Sequence, residues 1–260
     1  MLTVRPARQD DARAIVALVR AGFDKKRLGA TIYGCKGMNS YIRQQMSVPD
    51  GLSDTVYIVG ESRGSTFGCV EFKFLQDTIF LNYICVSHYH RQKGLGRELL
   101  RKALIIAKKD VRSKISLDVF CDNTAAISWY EKLGFKTDYY NNWWNIALPK
   151  TNKSPKGIIS AYGQANVCQR AFGFSQFGLT TGKNTYSIGR LGSAWFRVTQ
   201  SEVLSDKEAL TCLHVLDAKR KLLGIFPEDS KLRNPRMADM FCRSARMTMR
   251  LDKLLRSLSD

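Results

Sequence analysis

The stretch Val86-Ser-His-Tyr-His-Arg-Gln-Lys-Gly-Leu-Gly-Arg-Glu-Leu-Leu-Arg-Lys102 decides how this chain of 260 residues is read. A β-rich run enters a basic turn with two glycines, and the turn opens directly into a helical pattern. The first N–H groups of a helix have no internal acceptor, and the helix dipole adds about half a positive charge at the same end. A phosphate is stabilised there. Gly94 and Gly96 let the backbone approach the anion without Cβ interference, while Arg91, Lys93 and Arg97 supply charge around it. Two nucleotide fingerprints fail. A dinucleotide-binding turn wants a third glycine where this chain has Leu99, and a Walker loop wants Gly-Lys-Ser/Thr where it has Gly96-Arg97-Glu98. What remains is Arg91-x-x-Gly94-x-Gly96.

A second pattern follows in Ile115-Ser-Leu-Asp-Val-Phe-Cys-Asp-Asn-Thr-Ala-Ala-Ile-Ser-Trp-Tyr-Glu-Lys-Leu-Gly-Phe135. Ile115, Leu117 and Val119 alternate with Ser116 and Asp118, which is strand periodicity. Asp122, Asn123 or Thr124 can cap the next helix, and Gly134 after Lys132 ends it. Taken in order, Arg91-x-x-Gly94-x-Gly96 and then Asn123, Ala126, Tyr130 and Gly134-Phe135 resemble the two signatures of the GNAT acyltransferases.

That resemblance implies an α+β fold: a central, mostly antiparallel twisted sheet flanked by helices. It also implies acetyl-CoA as the acyl donor. The coenzyme A pyrophosphate is then expected on Arg91, Gln92, Lys93, Gly94, Leu95, Gly96 and Arg97, with Asn123 and Tyr130 nearby. Ile84, Cys85 and Val86 are expected beside the pantetheine arm. The implied chemistry is direct acyl transfer from a thioester to an amine, without a covalent enzyme intermediate and without a metal. Tyr130 occupies the general-acid position, since a phenol with a pKa near 10 can protonate a departing thiolate at neutral pH. The base is open. Phe80 stands where some relatives carry a glutamate, which leaves Glu71, His88, Asp118 or a water chain; histidine is the residue type whose ordinary pKa lies nearest neutrality.

Composition narrows the class. No run of 18 or more apolar residues and no N-terminal apolar leader are present, which predicts a protein without a membrane span, in a cytoplasmic setting. The 7 cysteines (35, 69, 85, 121, 168, 212 and 242) are scattered singly, so neither a zinc site nor a disulfide framework is suggested. With 41 Lys and Arg against 23 Asp and Glu the net charge is +18, shared almost evenly by the two halves. Such a field favours anionic partners. It keeps a second function open: a GNAT-like protein acting with aminoacyl-tRNA as acyl donor or acceptor, or a non-catalytic module that binds tRNA or another partner.

Around these motifs the pattern predicts a first strand at 2–6 and a helix capped by Asp10 and Asp11 with Ile15, Leu18 and Val19 inward. A helix near 39–46 and an antiparallel meander over 55–61, 66–75 and 78–86 come next, turning at Ser62-Arg-Gly-Ser65. Strands at 136–140 and 143–148 are expected to form a hairpin at Asn141-Asn142, with Tyr139, Tyr140, Trp143 and Trp144 as packing aromatics. The catalytic domain is expected over 1–149 and a linker over 150–157, where Pro, Lys, Ser and Gly show no periodicity. A smaller α/β domain is expected over 158–260, with strands at 158–162, 172–180, 186–191, 194–199, 222–226 and 240–250 and a helix capped by Ser205 or Asp206. This half resembles, weakly, the degenerate second half of tandem GNAT proteins. It lacks the glycine turn and is expected to bind no coenzyme A. The amine acceptor, the acyl length and the oligomeric state leave no trace in the sequence.

Overall fold

Twelve strands and eight helices are placed by a computed structural model that describes residues 2–49, 51–107, 112–182, 184–230 and 238–259. In chain order they are β1 (Leu2–Pro6), α1 (Ala12–Ala21), α2 (Lys25–Gly29), α3 (Met38–Gln45), β2 (Thr55–Ser62), β3 (Ser65–Phe74), β4 (Thr78–Val86), α4 (Leu95–Ala107), β5 (Lys114–Phe120), α5 (Thr124–Lys132) and β6 (Lys136–Ile146). There follow β7 (Ile158–Ser160), α6 (Tyr162–Phe172), β8 (Phe174–Thr180), β9 (Thr185–Leu191), β10 (Trp195–Val198), α7 (Lys207–Leu216), β11 (Lys221–Pro227), β12 (Ala238–Arg250) and α8 (Leu251–Ser259).

The chain folds into two compact units that do not follow its order: Met1–Lys25, Met38–Asp138 and Ala245–Asp260 form the first, Lys26–Gly37 and Tyr139–Ser244 the second. The stretch expected to link two domains, 150–157, has no helix or strand and lies inside the second unit.

In the first unit the strand order is β1-β2-β3-β4-β5-β12. β1 to β4 pair antiparallel, whereas β4 and β5 pair parallel, as a strand–helix–strand crossover through α4 requires. The tight β2–β3 turn puts Arg63 at φ 50 and Gly64 at φ 76, the left-handed pair that matches strand twist in a two-residue hairpin. α1 turns Ala12, Ile15, Val16 and Val19 inward, and α4 turns Leu99, Leu100, Ala103, Leu104 and Ala107 inward. On α1 Ile15 and Val19 face inward as the spacing predicts, but Val16 is buried where Leu18 was expected and Leu18 is half-buried.

The first unit is closed by the far end of the chain. Leu251 N–H donates to Ser113 O at 2.9 Å, and Arg246 Nε and Nη2 reach Asp118 Oδ1 and Oδ2 at 2.5 and 2.9 Å. α8 packs on α4 and buries Leu251, Leu254 and Leu258.

The second unit carries the strand order β6-β11-β10-β9-β8-β7. Its succession of strand, one helix, three antiparallel strands, turn, helix and parallel strand parallels that of the first unit, where three helices stand between β1 and β2 in the chain. Its core is built from Phe177, Leu179, Tyr186, Ile188, Phe196, Leu213 and Phe226.

Several expectations change. The hairpin at Asn141-Asn142 does not form: β6 is continuous, with Asn141 opposite Pro227 and Asn142 opposite Phe226, so pairing with β11 holds both asparagines extended. The strand read over 158–162 stops at Ser160. Ala161, at φ 57, breaks it and starts α6, whose face buries Ala165 alone and therefore left little periodicity to read. α2 and α8 also went unread.

The closing role of α8 predicts that Leu254→Ala, which removes a fully buried side chain, costs about 2–5 kcal/mol. Urea unfolding should show a lowered midpoint.

Candidate active site

β4 keeps its partner on one side only. Against β3 it pairs from Ile79 to Val86, but against β5 it pairs only from Thr78↔Lys114 to Leu81↔Leu117. The register against β3 slips at the same place: Phe72 faces Leu81 and Glu71 faces Tyr83, so Asn82 is an extra, bulged residue. A bulge bends and twists its strand, which separates β4 from β5 beyond that point. The consequence is visible in burial. Residues 67–72 of β3 are all buried, whereas 82–87 are all half-buried although they lie in the middle of the sheet. Such an edge can accept an extended ligand through backbone hydrogen bonds.

At the end of β4 the chain turns into α4. Arg91 Nε donates to Val86 O at 3.0 Å and Lys93 Nζ to Tyr89 O at 3.1 Å, which fixes the turn to the strand end. Gln92 and Gly94 both take left-handed conformations, at φ 60 and 72. Alternation of this kind gathers N–H groups into an anion-binding concavity. Nothing lies within 4 Å of a Cβ built on Gly94, so glycine is needed there for its φ and leaves open space above the turn. Residues 91–94 are exposed, and the helix ladder begins with Arg97 and Glu98 N–H donating to Gly94 O. Gly96 sits beside Val86 and Trp129.

Tyr130 lies on α5 and is 7% exposed. Burial, and then the neighbouring Cys85 thiol, push its phenol far above the ordinary range, so it stays protonated. Asn123 caps this helix, its Oδ1 accepting from Ala126 N–H at 3.3 Å. Cys85 faces Cys69 across the β3–β4 pair. The hydrogen bond its S–H donates to Cys85, and then burial, raise the Cys69 thiol.

Two residues along the same strands, about 7 Å away and on the same face, Glu71 lies between Tyr57 and Tyr83. Glu71 is 5% exposed, and its Oε1 accepts from Asn82 Nδ2 at 2.6 Å. Burial, then the Glu71 charge, push Tyr57 up. The end of α1 covers this face: a Cβ on Gly22 would lie 3.7 Å from Cys85 Sγ, and Phe23 meets Tyr83 and Phe120 edge-on at 6.0 and 6.1 Å. Tyr130, Cys85, Glu71, Asn82 and Tyr83 thus gather where β4 opens.

Other candidates stand elsewhere. His88 is exposed in the turn, its ring 3.7 Å from that of Tyr89. Asp118 is held by Arg246. Arg97 donates through Nη2 to Ser257 O, so α8 holds this guanidinium, which the sequence had assigned to phosphate. Ile84 and Val86 line the open half of β4, with Gln92 and Lys93 in the turn and Leu95 opening α4. Among the described residues no group of three or more His, Cys, Asp or Glu could hold a metal ion, and no helix is long and apolar enough to cross a membrane. Asn82 was not read from sequence, because a bulge is a register property that one strand alone does not reveal.

At the corresponding place in the second unit, β10 is paired on both sides, with β9 at 195–197 and with β11 at 195–198. The helix that follows is capped by Asp206, whose Oδ1 accepts from Glu208 and Ala209 N–H at 3.0 and 3.1 Å and whose Oδ2 accepts from the Thr181 and Tyr186 hydroxyls at 2.7 and 3.1 Å. The position of a bound anion is filled by the chain's own carboxylate. Burial disfavours its charge, but the Thr181, Ala209, Tyr186 and Glu208 donors outweigh burial and hold Asp206 below the usual carboxylate range. Its stabilisation is therefore complete above the unfolded-state pKa and fades as pH falls through the lower, folded value. Asp206→Ala should cost about 1 kcal/mol or more at pH 7, with the deficit shrinking toward pH 2, as thermal melts across pH would record.

Residues 33–135 match the acetyltransferase (GNAT) family. Over 84 residues the chain is 32% identical to N-acetyltransferase family 8 member 3 of Mus musculus, covering 30% of this chain and 37% of that protein, and 31% identical to the Rattus norvegicus member 3. The chain thus spans little more than a third of the length of these relatives. A tandem GNAT protein from the clavulanic acid biosynthesis pathway is similar over 96% of this chain and 98% of its own, at 13% identity and a TM-score of 0.67. A GCN5-related N-acetyltransferase from Sphaerobacter thermophilus is similar over 96% and 95%, at 12% identity and a TM-score of 0.57. At these identities the likeness is one of fold, and it extends through both units.

Proposed function

From the match of residues 33–135 to the acetyltransferase (GNAT) family, we propose that the first unit is an acyl-CoA-dependent N-acyltransferase, in the simplest case one that moves an acetyl group from acetyl-CoA to a primary amine. The observation that carries the reading is the open half of β4 running straight into a turn with left-handed Gln92 and Gly94. A pantetheine arm carries amides spaced for a strand edge, and a pyrophosphate suits a concavity of N–H groups at a helix start. Backbone of Ile84, Cys85 and Val86 would take the arm, and the turn from Arg91 to Gly96 the phosphates.

When bound, the thioester supplies an electrophilic carbonyl and a thiolate leaving group. The chain's own residues do the rest. Tyr130, protonated and buried beside Cys85, donates its hydroxyl proton to the leaving sulfur. Glu71, fixed by Asn82 on the acceptor side, takes a proton from the incoming ammonium, directly or through water. α1 and Phe23 cover this face and limit water. Cys69 and Cys85 form no bond to the acyl group.

Acetyl-CoA at 100 times its Kd should stabilise the protein by about 2.7 kcal/mol in a thermal-shift series, and Gly94→Val should remove the effect; no shift with the wild type would refute the donor. Tyr130→Phe should lower kcat about 100-fold and leave the KM for acetyl-CoA within about twofold. The charge of +18 supports aminoacyl-tRNA as the competing donor or acceptor. Filter binding decides: steeply salt-dependent tRNA retention supports that reading, and no retention at low salt removes it.

A further inference from the structure

We propose that Asn82 is a positioning residue that sets the protonation and aim of Glu71, so that one bulge both opens the cleft and prepares the base for a cationic amine. The proposal rests on the acyltransferase reading and goes beyond it. Asn82 is the extra residue of the β4 bulge, placed between Leu81, the last residue paired with β5, and Tyr83, the partner of Glu71. Its Nδ2 lies 2.6 Å from Glu71 Oε1. A donor at that distance favours the ionised carboxylate and restricts its rotation. The bulge leaves Tyr83 rather than Asn82 opposite Glu71 in the ladder, yet the Asn82 amide still reaches the carboxylate.

Groups that face Glu71 include the phenol of Tyr57 on β2, near which Tyr41 of α3 and the Asp54 carboxylate also lie, the phenol of Tyr83 and thiol of Cys85 on β4, and the thiol of Cys69 on its own strand. The phenols and thiols are uncharged near neutrality. A carboxylate in such a setting attracts a protonated amine and then accepts its proton. The neutral nitrogen attacks the thioester carbon, the C–N bond forms, and the C–S bond breaks. The Tyr130 hydroxyl proton goes to sulfur, the second nitrogen proton passes from the tetrahedral intermediate to the Tyr130 phenolate, and the Glu71 proton leaves to solvent. The balance is acyl-CoA plus ammonium giving amide, thiol and one released proton.

The test is a comparison of wild type, Asn82→Ala, Asn82→Gln and Asn82→Asp, with butylamine as the probe acceptor and acetyl-CoA as donor. Asn82→Ala should lower kcat/KM for butylamine about tenfold and move the acid limb of its pH profile upward, while the KM for acetyl-CoA stays within twofold. Asn82→Gln, which keeps the donor, should restore part of the rate. Asn82→Asp should move the limb further, because two adjacent carboxylates resist joint ionisation. The same order should appear in the 13C titration of the Glu71 carboxyl in the free protein, identified by its loss in Glu71→Gln, a readout that needs neither donor nor acceptor. An Asn82→Ala variant with the wild-type Glu71 titration midpoint overturns the proposal whatever the rates are. Failure of the wild type to bind acetyl-CoA would instead overturn the acyltransferase reading and leave the titration result standing.

Discussion

The parting of β4 from β5 after Leu81 is the constraint on which the first unit depends. A central strand normally satisfies its backbone groups on both sides, and an unpaired stretch is costly unless something else takes its hydrogen bonds. Here the stretch is half-buried over six residues and ends at a helix start with two left-handed backbone positions. The bulge at Asn82 produces the opening, and the same residue reaches Glu71. Tyr130, brought in by a helix that Asn123 caps, closes the other side beside Cys85. Backbone geometry and the proposed base and acid are therefore set by a few residues around one irregularity.

The second unit follows a similar succession of elements and omits the irregularity. β10 is paired on both sides, and Asp206 fills the helix start with its own charge. The succession of elements alone therefore does not make the opening, which depends on local features. Closure is a separate matter. The last part of β12 and all of α8 complete the first unit, and their leucines and arginines tie to α4 and β5. Arg97 is held by Ser257 in that arrangement, so its guanidinium steadies α4 against α8.

Much of this was legible in the chain. The turn from Arg91 to Gly96, the Asn123 to Phe135 helix and the antiparallel meander all carry local signals: glycine conformation, capping and alternation. Asp206 was read as a cap for the same reason. What stayed hidden depends on partners distant in sequence. The bulge at Asn82 exists only in the register between β3 and β4, and the continuity of β6 through Asn141 and Asn142 only in its pairing with β11. The completion of the first unit by residues 245–260 could not be inferred from a charged, aperiodic stretch at 150–157. Leu251, Leu254 and Leu258 did offer helical spacing, which a reading centred on the strand before them passed over.

Amide hydrogen exchange of residues 83–86, measured with and without acetyl-CoA, tests the central claim most directly, since the open half of β4 is proposed to take backbone hydrogen bonds from the bound donor. The account predicts marked slowing of exchange at those positions and at Gly94 to Gly96, with β10 unchanged. Unaltered exchange along β4 at saturating acetyl-CoA would contradict it.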